Sequence, residues 1–457
     1  MLQLILMFFV NLNSALLLFT AAAFFLFCRP QLRWLYLLVL SCGLLLAASP
    51  LAFLLVLGQT AVAHGMGLWL DRKKPHAVGL WLCLILQLLP LLFYKAIGIS
   101  DGDPATAANW VVPLGLSYYT FQILSFLIEI HWGRVPAERN FARFASYILF
   151  FANKVAGPIE RPGLLAQMIS IETPTGPQLF KSAMWIWLGL FQKFVLADNL
   201  AEYVLPVLQF PQNYEGLTAT IAVLVSKYHI FCDFSGISLI ALGVGGLFGL
   251  KLTPNFNRPF AAVTLREFWS RWHISLQSWI RDYVFYPLLS TRFARFGVLP
   301  LMMVTFVLFG LWHDWRWTFV VYGVIQAVLV RFEPGRFAQR FGWPIAVFFN
   351  YCLLISLPSV LFRARSFTEA WNVWRSMGWD AKNWSYFWDL GVLKLPVIAG
   401  LVIAHELIQW GEFRYNLFER MSAWAWPLKM LIALTLLAVL ILYSKFDPQS
   451  VFIYSQF

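Results

Sequence analysis

The chain reads as an all-α protein that crosses a membrane many times, and two observations carry that reading. Of its 457 residues, 60% are hydrophobic and 18% aromatic, while only 12% are charged, about half the charged share of soluble globular domains. Apolar stretches separated by loops also recur from end to end, where soluble domains would alternate core with polar surface. These runs are continuous rather than alternating, which argues against a β-barrel. A single membrane-embedded domain over 1–457 is expected.

Residues 4–27 run apolar into "CRPQLR" with no small-residue cleavage site, so they read as an uncleaved first helix. The stretch 34–70 holds two crossings with a break near Pro50. Further membrane-like stretches are 77–93, 111–130, 217–227 with 237–250, 298–310, 317–330, 395–410 and 428–443. At about 20 residues per crossing, the total is about 11 spans, with the short or broken runs as re-entrant or interfacial segments. Lys and Arg exceed Asp and Glu by 34 to 22, a net charge of +12. The basic residues cluster in short loops (29–33, 71–76 and 131–144), so the excess marks the cytoplasmic side rather than a nucleic-acid partner. The acidic "DGD" at 101–103 then falls outside, with an outside N-terminus. Within 363–386 the Trp and Arg pattern reads as an amphipathic helix in the headgroup zone, followed by a turn-rich loop. The aromatic end "FDPQSVFIYSQF" is expected along the membrane or on the bundle. Cys28, Cys42, Cys83, Cys232 and Cys352 are isolated, and no pair has metal-ligand or redox spacing.

Two segments look discontinuous. In "FANKVAGPIERPG" (151–163), Lys154, Glu160 and Arg161 surround Gly157–Pro158, which breaks a helix and frees backbone groups. In "YHIFCDFSGISLIALGVGGLFGL" (228–250), His229 and Asp233 stand one helical turn apart before a run of small residues. They form either a stabilising polar pair or part of a reaction site, since ionisable residues at membrane depth are expensive.

The stretch "FWSRWHISLQSWIRDY" (268–283) concentrates charge in a chain that otherwise avoids it. Thr264 and Glu267 have capping-box spacing. On a helix starting there, Glu267, Arg271, Ser275, Ser278 and Asp282 share one face, and His273, Gln277 and Arg281 a second. The order of these faces points to a cavity. The plainer account is interfacial anchoring, with Arg271 balancing Glu267 and His273 in an orienting role. In "FGLWHDWRWTFVVYG" (309–323), Trp312, His313 and Asp314 link two apolar runs. A neutral histidine there is suited to general-base work, although a lone histidine beside tryptophans is more often interfacial.

Taken together, "LGLSYYTFQILSFLIEI" (114–130), "VAGPIERPG" (155–163), "NFNRPF" (255–260), "FWSRWHISLQSWIRDYVFYPL" (268–288), "FGLWHDWRWTFVVYG", "FRARSF" (362–367) and the end "FIYSQF" (452–457) resemble the membrane-bound O-acyltransferase (MBOAT) family in order and spacing. The likeness is to its bacterial polysaccharide branch, which acetylates alginate or cellulose, and to the related D-alanyl transfer proteins of teichoic acid modification. The resemblance implies a helical bundle with short helices around a central funnel in the bacterial cytoplasmic (inner) membrane. It implies transfer of an acyl group, acetyl first, from a thioester donor (acetyl-CoA or an acyl carrier) toward an extracytoplasmic polysaccharide. Transfer is either direct or through a partner acetyltransferase. His313 and His273 fall on the two catalytic histidine positions. Trp312, Gln277, Arg281, Asp282, Glu160, His229 and Asp233 are the expected substrate-binding residues. No metal or bound cofactor is required. Partners are the donor, the acceptor glycan, the partner transferase and membrane lipids.

Two departures stand out. Asp314 follows His313 where the family commonly has a small residue, and it either raises the His313 pKa or pairs with Arg316. The tyrosine-rich segment continues "YPLLSTRF" (286–293) rather than with the "PLGG"-like sequence of alginate members. Other readings are D-alanyl transfer from an acidic carrier docked on basic loops at 131–144 or 331–340, and a degenerate fold that recruits partners. A transporter or flippase is a further reading, which the lack of an inverted repeat counts against.

Overall fold

The computed structural model describes residues 12–73, 77–100, 115–154, 157–381, 386 and 395–445. Among the described residues the regular structure is helical, with two isolated β-bridges and no strand. Seven helical stretches are long and apolar enough to cross a membrane: Pro30–Ala48, Pro50–Lys73, Ala77–Ala96, Gly176–Gln209, Leu217–Leu247, Trp343–Arg363 and Trp426–Tyr443. Shorter apolar helices cover Leu16–Phe27, Val298–His313 and Trp317–Phe332. The chain is thus an all-α, multi-pass membrane protein. The "DGD" loop, Val155 and Ala156, residues 111–114 and 382–385, and the "FIYSQF" end lie outside the described residues.

The described residues form two compact units, Met1–Ile186 with Ala241–Pro254, and Trp187–Ile240 with Asn255–Phe457. In the first unit, Leu116–His131 packs against both Pro50–Lys73 and Ala77–Ser100, and it is buried on nearly every face. The expected break near Pro50 is present. The preceding helix ends at Ala48, and Ser49 Oγ accepts from the Ala52 amide at 3.2 Å, an N-terminal cap that proline tolerates inside the first turn. The Gly157–Pro158 break is also real. A 3₁₀ turn at Phe151–Asn153 precedes it, and 157–161 has no helical pairing. Buried Glu160 is fastened there: its Oε1 accepts from the Thr253 amide at 2.6 Å and its Oε2 from the Thr253 hydroxyl at 3.2 Å.

In the second unit, one expectation fails. Residues 228–247 are not interrupted, because they lie within one 31-residue helix, Leu217–Leu247, which ends in a turn at 248–249. Its glycines serve close approach instead of breakage. A Cβ on Gly236 would lie 2.8 Å from the Gly189 carbonyl oxygen and 3.0 Å from the Lys193 amide nitrogen. That contact brings Lys193 to the helix, where its ammonium meets Asp233 and Asp198, each at 2.8 Å. Three π-helical segments, Phe191–Ala197, Arg281–Phe285 and Asn350–Ser356, also belong to this unit. The amphipathic surface helix is present as Phe367–Ser376, capped by Ser366 and Glu369 in a reciprocal box.

Candidate active site

Thr264 caps its helix as the sequence predicts. Its hydroxyl accepts from the Glu267 amide at 3.1 Å, while Glu267 Oε2 accepts from the Val263 amide at 2.8 Å. The helix does not continue, however. It spans only Leu265–Arg271, and a second short helix begins at Ile274. Between them His273 adopts φ 47°, ψ 52°, a left-handed conformation costing of order 1–3 kcal/mol for a non-glycine residue. The two polar stripes therefore do not share one cylinder. Glu267 and Arg271 pair on the first helix, and the remaining members belong to the next turns.

The break exists because residues 255–257 supply bonds that a continuous helix would have made with itself. The Asn257 amide donates to the Arg271 carbonyl at 3.0 Å, and the Ile274 amide to the Asn255 carbonyl at 2.9 Å. Phe256 bridges to Trp272. The Ser275 hydroxyl donates to Asn255 Oδ1 at 2.6 Å, and Asn255 Nδ2 donates to Ser238 Oγ at 2.9 Å. Asn255 thus ties the His273 turn to the Leu217–Leu247 helix.

His313 is the last residue of Val298–His313, which forms a hairpin with Trp317–Phe332. Two glycines set its closeness. A Cβ on Gly310 would lie 2.6 Å from the Phe319 carbonyl oxygen, and one on Gly323 the same distance from that of Phe306. In the connecting turn, Asp314 pairs with Arg316 at 2.6 Å. Arg316 Nη1 and the Thr318 hydroxyl each donate to the Ala364 carbonyl at 3.3 Å. Asp314 therefore takes the arginine, which was one of the two expected outcomes.

These constraints bring the two histidines together. Their ring centroids are 6.4 Å apart, with Trp312 5.6 Å from His273 and 4.7 Å from His313. Phe234 lies 4.7 Å from His273, and Phe309 and Phe362 lie 5.1 and 4.9 Å from His313. His273 is 0% and His313 1% exposed. Neither ring nitrogen of His273 has a hydrogen-bond partner among the described residues, and burial pushes its pKa down to about 3, so it is neutral. Two buried imidazoles at this separation, walled by rings, are suited to act on one reacting group.

Other expected site residues divide. Trp312 belongs to the histidine cluster, and half-buried Gln277 lies one turn beyond His273. Arg281 and Asp282 pair at 2.7 Å on the π-helical segment, where Arg281 is exposed. Glu160 lies in the other compact unit with its carboxylate on Thr253. The expected one-turn pair of His229 and Asp233 takes partners from other helices: Asp233 meets Lys193, and Arg363 Nη2 donates to His229 Nδ1 at 3.5 Å.

Three further groups were not read from the sequence. Asn255 belongs to the quoted "NFNRPF", but its role as a clamp depends on long-range contacts. Lys227 is buried under aromatic rings. His405 is buried in a polar chain: Gln192 and Gln409 amides donate to its Nε2 at 2.6 and 2.8 Å, and Tyr228 meets its Nδ1 at 2.7 Å. The signal for this chain was present as "AHELIQW" inside an apolar run. Among the described residues, no group of three or more His, Cys, Asp or Glu side chains is placed to hold a metal ion.

Residues 136–340, which contain both histidines, match the model of MBOAT, the membrane-bound O-acyltransferase family. This segment belongs to that family. Curated relatives are similar to the chain over longer stretches as well. A probable alginate O-acetylase of Azotobacter vinelandii is 30% identical over 311 residues, 67% of this chain and 62% of the relative. One from Pseudomonas putida is 29% identical over 74% of this chain and 71% of its own length. A teichoic acid D-alanyltransferase of Streptococcus thermophilus is 34% identical over 45% of this chain and 50% of its own. The chain thus spans less than two thirds of the first of these relatives.

Proposed function

We propose that this MBOAT protein is an O-acyltransferase that moves an acyl group, acetyl foremost, from a cytoplasmic thioester donor toward hydroxyls of an extracytoplasmic polysaccharide. Delivery is direct or through a partner transferase. The observation that carries this reading is the buried, ring-walled pair of His273 and His313 inside the family segment. The alginate O-acetylases among its relatives support acetyl as the group and a surface glycan as the acceptor.

In this reading His313 is the base. A neutral imidazole nitrogen takes the proton of the acceptor hydroxyl as its oxygen attacks the thioester carbonyl. The new C–O bond forms, the C–S bond breaks, and the proton passes to the departing thiolate. His273, also neutral, offers one N–H to the carbonyl oxygen as negative charge develops there. Trp312 and Gln277 flank the reacting groups. The Asn255 clamp holds His273 in the left-handed turn that directs its ring, so the site is organised before substrate arrives.

A second reading keeps the chemistry and changes the group to D-alanine delivered by a carrier protein. The D-alanyltransferase relative favours it, as does the Arg266–Glu333–Arg336 cluster, where two exposed arginines share one glutamate beside an open cavity of about 720 Å³. The deciding measurement is NMR of the producer's surface polysaccharide in strains expressing wild type or His313→Ala at equal membrane levels. Acetyl ester lost in the variant supports the proposal. D-alanyl ester in the wild type selects the second reading, and unchanged acetylation in the variant sinks the His313 mechanism.

A further inference from the structure

Lys227 is 2% exposed on the Leu217–Leu247 helix. Around its ammonium are three rings, with centroids 4.1 Å away for Trp272, 5.7 Å for Phe362 and 5.9 Å for Phe268. Among the described residues it makes no ion pair and no hydrogen bond, unlike Lys193 on the same helix's flank, which holds two aspartates. Aromatic faces attract a cation but accept none of the three N–H bonds that an ammonium offers in place of water. A buried lysine of this kind has donor capacity that the protein leaves unused.

Its location gives that capacity a direction. Trp272 immediately precedes His273, and Phe362 also packs on His313 at 4.9 Å. Lys227 and His313 therefore share the Phe362 ring, and Trp272 joins the lysine's wall to the His273 turn through the backbone. Phe234, two helical turns beyond Lys227 on the same helix face, stands 4.7 Å from the His273 ring. An amine whose N–H groups meet no acceptor, set against an apolar wall, is matched by a ligand with several acceptor oxygens, and an anionic one holds it as the ammonium.

We propose that Lys227 is a substrate-binding residue that receives an oxyanion, a phosphate or carboxylate, carried by one of the substrates. The proposal rests on the acyl-transfer reading for the identity of those substrates. A coenzyme-type thioester carries phosphate, and a uronate glycan carries carboxylate. The shared chemistry is an oxyanion held by an ammonium, which keeps the substrate's remaining atoms at the ring wall beside the histidines.

The test measures binding by the full-length protein in nanodiscs, using four probes in two matched pairs. Desulfo-coenzyme A is compared with pantetheine, which lacks the phosphates, and a uronate oligosaccharide with a neutral one. Lys227→Met is expected to weaken one charged probe by about tenfold, as for a lost hydrogen bond to a charged group, while leaving its uncharged counterpart unchanged. Lys227→Arg should restore most of that loss. A response to desulfo-coenzyme A assigns the donor phosphate, and a response to the uronate assigns the acceptor. Equal affinities for wild type and folded variant, or equal losses with charged and neutral probes, overturn the proposal.

If Lys227→Met does not fold, the wild type is treated with an amine-reactive reagent with and without each probe, and Lys227 labelling is read by mass spectrometry. No protection by either charged probe overturns the proposal as well. Binding requires no turnover, so the two readings fail separately. A wild type that binds but transfers no acyl group sinks the acyl-transfer reading, and active protein with charge-blind binding sinks Lys227.

Discussion

His405 and His273 are both 0% exposed and both belong to the second compact unit, yet they are opposites in bonding. His405 accepts from Gln192 and Gln409 at Nε2, and its Nδ1 meets Tyr228, whose hydroxyl donates to Glu406 at 3.0 Å. His273 has no hydrogen-bond partner among the described residues at either nitrogen. Burial alone therefore does not mark a reactive histidine. An imidazole whose bonds are met by its own protein is part of the scaffold, whereas one held by its backbone, with its nitrogens unspent, is available to a substrate.

The contrast predicts a graded series. The largest effect is expected for His313→Ala, where loss of the general base lowers kcat by about 10²–10⁴ at unchanged thermal stability. An acyl-transfer assay on purified protein checks it, and near-wild-type turnover would remove the histidine pair from the chemistry. His273→Ala should follow, with kcat reduced by about 10²–10³, as for loss of a donor to a developing oxyanion. If His273→Ala instead lowers the melting temperature and spares kcat, the histidine is scaffold and the comparison with His405 collapses.

Asn255→Ala tests whether the clamp acts through His273. Losing its bonds to Ser275 and Ser238 should cost about 1–3 kcal/mol of stability, together with a fall in kcat that His273→Ala does not deepen. Independent, additive losses in the double variant would separate the clamp from the histidine. His405→Leu leaves two amides and a tyrosine hydroxyl without their shared partner. It should lower stability by about 1–3 kcal/mol while activity per folded molecule stays within about twofold, since no mechanism step touches it.

The smallest effect concerns Glu160, whose bonds are also met internally, by Thr253. Burial raises its pKa from 4.5 to about 7, although the Thr253 bonds pull the other way. A carboxyl raised on folding stabilises the fold fully below about pH 4.5 and loses that contribution as pH rises through about 7. The wild-type melting temperature should therefore fall between pH 5 and 8 by more than that of Glu160→Gln. Parallel curves would show that Glu160 does not titrate in this range.

Much of this arrangement was legible in the sequence because it rests on local chemistry. Continuous apolar runs announced the helices, Pro50 the break between two of them, and Thr264 with Glu267 the capping box. Ser366 and Glu369 carry the same capping spacing. The failures share a cause. Nothing within 265–283 forbids one continuous helix after Thr264; the competing bonds come from Asn255 and Asn257. Residues 228–250 read as discontinuous because an ionisable pair runs into a glycine-rich stretch, whereas those glycines serve close packing, as at Gly236 against Gly189, within one helix. For Lys227 and His405 the sequence shows an ionisable residue in an apolar run and no more, since only the folded neighbourhood separates a satisfied buried group from an unsatisfied one.

The π-helical segment Arg281–Phe285 follows directly on the helix that begins after His273. A π segment carries a residue that an α register has no place for, and each residue turns the chain by about 100°. A single-codon loss here would therefore turn the π segment into an α turn and leave the side chains from Tyr286 onward facing as they do now. The same loss in the uninterrupted Leu217–Leu247 helix would rotate everything beyond it by about 100°. The bulge is thus a place where the chain can change length without changing which side chains face the histidines.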